Sequence, residues 1–217
     1  VIAAVLWDMD GTIVDSEPAW VRAQGLLAAR FGCTWTPADA LALIGSTMEQ
    51  TVSALQAAGV ELDDDALTAV LEDDVLADMR SGLVWRPGAR ELMREVDRAG
   101  IRQAIVTTSS RPVAQVVVEA LAPDVVLATV VTGDDVTRGK PDPEPYLLAA
   151  ARLGVDIAQC VAIEDSPTGL AAAVASGAVA IGVPHDAQLE EGGDRAIWPT
   201  LAGRGIGDLQ ELVASRR

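Results

Sequence analysis

The chain has 217 residues, 50% of them hydrophobic, with 16 Lys and Arg against 32 Asp and Glu for a formal charge of -16. This length allows one large domain, or one domain carrying a smaller insert, around a well-buried core. The negative field repels nucleic acid and anionic membranes, and it also opposes an anionic substrate unless a cation reverses the sign locally.

In chain order, an apolar run at residues 2–7 reads as a buried strand and ends in acidic residues. It carries no basic flank or cleavage site, and no apolar stretch is long enough to span a bilayer, so a cytoplasmic protein is expected. From about residue 16 to 82 only helical patterns occur, at 20–31, 48–58 and 65–80. The turn signal Arg86-Pro87-Gly88 then opens a helix at 89–99. Apolar runs at 103–107, 125–131, 160–163 and 179–183 predict four more strands. Helical patterns at 112–121, 143–153 and 167–176 separate them, which implies a parallel sheet. Each of those three helices starts at Pro, a residue tolerated in the first turn. The expected fold is α/β, a Rossmann-like parallel-sheet core from residues 1–15 and 83–217 with an α-helical cap domain inserted at 16–82. Gly203, Gly205 and Gly207 read as a loose C-terminal loop, and Cys33 and Cys160 as free thiols.

The chemistry gathers at the strand ends. The first strand closes on Asp8-Met9-Asp10-Gly11-Thr12, where Gly11 permits a sharp exit and two nearby acids call for a shared proton or a metal ion. The second closes on four hydroxyls, Thr107-Thr108-Ser109-Ser110, able to hold phosphate oxygens. After the third comes Gly139-Lys140-Pro141-Asp142-Pro143, containing the only lysine, a compact charge that can neutralise a carboxylate and a phosphate together. The fourth ends in Glu164-Asp165-Ser166-Pro167. Four carboxylates, Asp8, Asp10, Glu164 and Asp165, are thus expected in one crevice, and oxygen donors without His or thiolate point to Mg²⁺ over Zn²⁺. The sole histidine, His185, lies past the last predicted strand, so acid–base work falls to carboxylates. One Asp then attacks phosphorus while a second protonates the leaving oxygen and later deprotonates water.

In order, Asp8-Met9-Asp10-Gly11-Thr12, Thr107, Lys140-Pro141-x-Pro143 and Glu164-Asp165 resemble the four motifs of the haloacid dehalogenase superfamily. The helical insert after the first motif resembles the subfamily with a small α-helical cap. The resemblance implies an Asp8 nucleophile, Asp10 as general acid and base, and Thr107 with the N–H of Thr108 on the transferring phosphoryl group. Lys140 would balance the charge of Asp8 and phosphate. Asp165 with Glu164 would hold Mg²⁺ beside Asp8 and the carbonyl of Asp10. The dehalogenases lack an acid where Asp10 stands, so dehalogenation is disfavoured.

Residues 15–20 resemble the branch of sugar-phosphate phosphatases and β-phosphoglucomutase. The mutases place a His about where Trp20 stands and a cap Arg near Met48, so hydrolysis of a small-molecule phosphate ester is favoured over a mutase reaction. Trp20 and the Gly45 to Met48 loop are candidates for specificity, although Trp20 also fits one helical face with Leu27 and Phe31. A phospho-accepting receiver-like domain is the rival from another class, opposed by the insert and Asp10. Neither nucleic acid nor membrane is expected as partner, and the chain is expected to be a monomer or weak homodimer.

Overall fold

The computed structural model describes residues 1–43 and 46–215. The chain separates into two compact units, Val1–Asp15 with Val84–Arg217, and Ser16–Leu83. In chain order the strands are β1 Ala4–Trp7, β2 Arg102–Val106, β3 Thr129–Val131, β4 Cys160–Glu164, β5 Val179–Gly182 and β6 Arg195–Ile197. The helices are α1 Glu17–Arg30, α2 Pro37–Leu41, α3 Met48–Ala57, α4 Asp64–Ser81, α5 Ala89–Arg98, α6 Arg111–Leu121, α7 Glu144–Leu153, α8 Pro167–Ser176 and α9 Ile206–Ser215.

All six strands of the first unit form one parallel sheet in the order β3-β2-β1-β4-β5-β6. The chain starts at the centre and builds outward in both directions, so the order reverses between β1 and β4. In open parallel sheets ligands bind at such a reversal, outside the carboxyl ends of the strands. Trp7 pairs in register with Ile105 on one side and Ile163 on the other, which sets the residues after each of these on the same edge. Both faces of β1 and β4 are buried, hence their continuous apolar sequence. On one face Ala4, Leu6, Ala104, Val106, Tyr146 and Leu170 share a cluster in which small side chains let α7 and α8 approach closely. The indole of Trp7 donates to Gln103 Oε1 at 3.0 Å, and the Gln103 amide donates to the Met93 carbonyl, so this buried pair leaves no polar group unmet.

Three expectations are corrected. The third strand begins at Thr129, not near residue 125, because its ladder with β2 starts where Ala104 meets Thr129. Val126 is 71% exposed, and its N–H is taken by the Asp97 carboxylate. Of the three glycines expected in a loose C-terminal loop, Gly203 and Gly205 precede α9 in a turn and an irregular segment, whereas Gly207 lies inside the helix. Asp208 accepts from the Gly205 N–H, and Glu95 from the Ile206 N–H, which satisfies donors that a helix start leaves open. A sixth strand, β6, extends the sheet beyond the five expected. Cys33 and Cys160 are free.

The second unit is helical. Capping boxes start α2 at Thr36 with Asp39 and α3 at Thr47 with Gln50, and Asp63 caps α4. Leu67, Leu71, Val75 and Met79 of α4 are buried, and α1 packs on this helix, flanked by the ion pairs Arg22–Asp78 and Arg30–Asp74. Leu27 is buried, whereas Phe31 is 39% exposed past the end of α1. Trp20 and Met48 are half-buried, and Gly45 lies outside the described residues. Among the described residues, no helix is long and apolar enough to cross a membrane.

Candidate active site

Asp8 follows β1 directly, and its N–H bonds to the Ile163 carbonyl at 3.0 Å, so the sheet ladder itself sets it beside Glu164. The Asp8 side chain is buried. Lys140 reaches it from the loop after β3, where the Lys140–Pro141 peptide is cis. Lys140 Nζ lies 2.6 Å from Asp8 Oδ1, 2.6 Å from Glu164 Oε1 and 2.8 Å from the Val106 carbonyl. Glu164 is fully buried and accepts the Tyr146 hydroxyl at 2.5 Å, with a longer bond from Ser166 Oγ at 3.4 Å. Thr12 Oγ1 donates to Asp165 at 3.4 Å.

Two glycines make this crowding feasible. Gly11 has φ +80°, and a Cβ there would stand 2.1 Å from Asp165 Oδ2. At Gly169, in the first turn of α8, a Cβ would stand 2.0 Å from Glu164 Oε2. The turn after β1 and the start of α8 can therefore both close on the carboxylates.

Asp8, Glu164 and Asp165 each offer an oxygen, and these atoms lie within 4.8 Å of one another. One ammonium does not neutralise three carboxylates. Burial, and then the Glu164 charge, push the Asp8 carboxyl up to about 6 against the pull of Lys140. Burial, Asp8 and Glu164 push Asp165 up to about 9. Burial works against the Lys140 charge, yet Asp8 and Glu164 outweigh it and hold the ammonium above the ordinary lysine range. The group is short of positive charge. Asp8 Oδ2 is buried without a hydrogen-bond partner among the described residues, and all the donors are hard oxygens, so a divalent cation fits both the charge and the ligand set.

Asp10 is held by hydroxyls. Its Oδ2 accepts from Thr107 Oγ1 at 3.1 Å and from Ser109 Oγ at 2.7 Å. Of the four carboxylates expected in one crevice, Asp8, Glu164 and Asp165 bring oxygens within 4.8 Å of one another, and Asp10 accepts from two hydroxyls at the end of β2. Thr107 is buried and also accepts the Ser109 N–H at 3.0 Å, while Thr108 is exposed and packs its carbonyl against Gly133. His185 sits 3.3 Å from Asp15 Oδ1 and 3.2 Å from Asp186 Oδ2, in the loop after β5. Trp20 and Met48 belong to the second unit.

Sequence reasoning gave Ser109 only a share in a hydroxyl run able to hold phosphate oxygens, and gave Thr12 and Tyr146 no role of their own. Ser109 stood within the four-hydroxyl run and Thr12 within the first motif. For Tyr146 the available signal was its being the only tyrosine, in the segment that follows the only lysine.

The haloacid dehalogenase-like hydrolase model matches residues 2–177. Hexitol phosphatase A of Escherichia coli (strain K12) is 37% identical over 188 residues, 83% of each chain. The phosphorylated carbohydrates phosphatase of Thermotoga maritima is 31% identical over 185 residues, 84% of this chain and 85% of that one. The crystal structure of CbbY from Rhodobacter sphaeroides in complex with phosphate superposes with a TM-score of 0.85 at 29% identity, covering 97% of this chain and 100% of the other. With the sheet order, the Asp8–Lys140–Glu164–Asp165 group and a family match across most of its length, the chain belongs to the haloacid dehalogenase-like hydrolases.

Proposed function

We propose that the chain is a Mg²⁺-dependent phosphatase of small phosphate monoesters, sugar or polyol phosphates foremost, acting through an aspartyl-phosphate on Asp8. The observation that carries this reading is the buried Asp8 carboxylate, bonded through one oxygen to the only lysine and with no hydrogen-bond partner among the described residues on the other. A carboxylate oxygen of Asp8 attacks phosphorus as the ester P–O bond breaks. Asp10, oriented by Thr107 and Ser109, gives its proton to the leaving oxygen and then takes one from the water that attacks the Asp8–phosphoryl bond. This releases phosphate and restores both carboxyl groups. Lys140 offsets charge on Asp8 and the phosphoryl oxygens, and the Thr107–Thr108 segment holds those oxygens. Mg²⁺, when bound, supplies the remaining positive charge, and Asp8, Asp165, Glu164 and the Asp10 carbonyl would hold it.

The relatives support the substrate class. Besides the two phosphatases above, fructose-1-phosphate phosphatase YqaB of Escherichia coli (strain K12) is 32% identical over 184 residues. A CbbY crystal form holds xylulose-(1,5)bisphosphate. The unit Ser16–Leu83 is proposed as the cap, with Trp20, Gly45 and Met48 as the residues that select the substrate. Trp20, in place of the histidine that mutases carry there, favours hydrolysis over transfer. A monomer or weak homodimer in the cytoplasm completes the reading.

The test is phosphate release from a panel of sugar, polyol, nucleotide and glycolytic phosphates, with Mg²⁺ and with Asp8→Asn. Release from sugar or polyol phosphates that needs both Mg²⁺ and Asp8 is expected. Equal release by Asp8→Asn, or after chelation, overturns the proposal, and sugar isomerisation with little net release assigns a mutase.

A further inference from the structure

Lys140 and Tyr146 are the only lysine and the only tyrosine of the chain, and they meet on one atom, Glu164 Oε1, at 2.6 and 2.5 Å. Glu164 and Tyr146 are both 0% exposed. The Tyr146 ring centroid is also 5.4 Å from Lys140 Nζ. We propose that Tyr146 is a positioning residue, whose hydroxyl satisfies Glu164 so that Lys140 stays shared with Asp8 and does not collapse onto Glu164.

A carboxylate removed from water needs hydrogen-bond donors to remain charged, and it draws on whichever donors are near. Glu164 has three, the Lys140 ammonium, the Tyr146 hydroxyl and the long bond from Ser166. Lys140 in turn divides its N–H groups among Asp8, Glu164 and the Val106 carbonyl. Two carboxylates therefore compete for one cation. A neutral donor on Glu164 weakens its claim without altering the charge of the site. Tyr146 suits this because its hydroxyl is an uncharged donor, held on Glu164 Oε1 by a fully buried ring that admits no water in its place. Remove the hydroxyl and Glu164 keeps only Lys140 as a short donor, so the ammonium shifts toward Glu164 and its bond to Asp8 weakens. The competing view is that Tyr146 merely fills the apolar cluster it shares with Leu6, Val106 and Leu170. Phe fills that space equally well, so Tyr146→Phe separates the two.

Because both residues are unique, labelling with ¹⁵N-lysine gives one side-chain ammonium resonance and labelling with an altered tyrosine changes one site. In Tyr146→Phe the Lys140 resonance is expected to move and its protons to exchange faster, without metal or substrate present. In the Mg²⁺-loaded enzyme kcat for a sugar phosphate is expected to fall about 10- to 100-fold with KM within about twofold, the mark of a misplaced group that does not bind substrate. An unchanged Lys140 resonance in a folded Tyr146→Phe protein overturns the proposal. The kinetic arm rests on the phosphatase reading, whereas the resonance does not, so an inactive wild-type enzyme would count against that reading alone. Should the Phe variant not fold, 3-fluorotyrosine at position 146 keeps the shape and strengthens the donor. The Lys140 resonance must then move, and a stationary one overturns the proposal.

Discussion

Lys140 Nζ lies 2.6 Å from Asp8 Oδ1 although 132 positions separate the two residues. Their side chains are 5% and 9% exposed, and Glu164 on the other flank is 0% exposed. Removing the ammonium leaves two buried carboxylates facing each other. Lys140→Met should therefore cost about 3–5 kcal/mol, read from the urea midpoint, and lower kcat at least about 100-fold. Lys140→Arg restores the charge but not the compact fit, and should recover stability better than rate.

Asp165, pushed up to about 9, and Asp8, pushed up to about 6, hold protons in the folded metal-free chain that the unfolded chain releases near 3.8. The unfolded state thus binds fewer protons, so stability of the metal-free protein should fall as pH rises from about 4 to about 9. Divalent cation must displace those protons. Mg²⁺ affinity should rise with pH across the same window, and calorimetry near pH 7.5 in buffers of different ionisation heat should show proton release. Pitch and sign both matter here: no buffer dependence, or proton uptake, contradicts the charge balance described for the site.

Asp10 accepts hydrogen bonds from Thr107 and Ser109. Asp10→Asn should lower kcat on a sugar phosphate by about 10²- to 10⁴-fold. The loss should be smaller on p-nitrophenyl phosphate, whose leaving group needs no proton. Thr107→Val should misorient Asp10 and show the same substrate contrast with a smaller loss. Equal losses on both substrates would remove Asp10 from proton transfer.

Gly11 combines φ +80° with a position where a Cβ would meet Asp165 Oδ2 at 2.1 Å. Gly11→Ala should destabilise by more than about 1 kcal/mol and weaken Mg²⁺ binding, through backbone strain and displacement of Asp165. Gly25, inside α1 with open space around its Cβ position, supplies the contrast. Gly25→Ala should raise the melting temperature, since Ala favours a helix over Gly by about 1 kcal/mol.

The strand-end chemistry was legible in the sequence because a buried parallel strand needs a continuous apolar run, and the residues that break that run must sit at the sheet edge. This marks Asp8, Thr107 and Glu164 without coordinates. The alternation with helices likewise implied a parallel sheet. Local composition did not reveal where β3 begins, since residues 125–127 are as apolar as a strand and only the register of Ala104 with Thr129 ends the pairing. It also hid α9, whose start is satisfied in part by Glu95, far away in the chain. Which acids share a cluster was likewise beyond one dimension. Asp8 and Asp10 are neighbours in sequence, yet Asp8 joins Glu164 and Asp165 while Asp10 joins Thr107 and Ser109. The sequence by itself determined which residue types arrive at the edge of the sheet. Tertiary structure decided how the one lysine is divided between Asp8 and Glu164, because that division depends on burial and on Tyr146, whose contact with Glu164 exists only after α7 docks on the sheet.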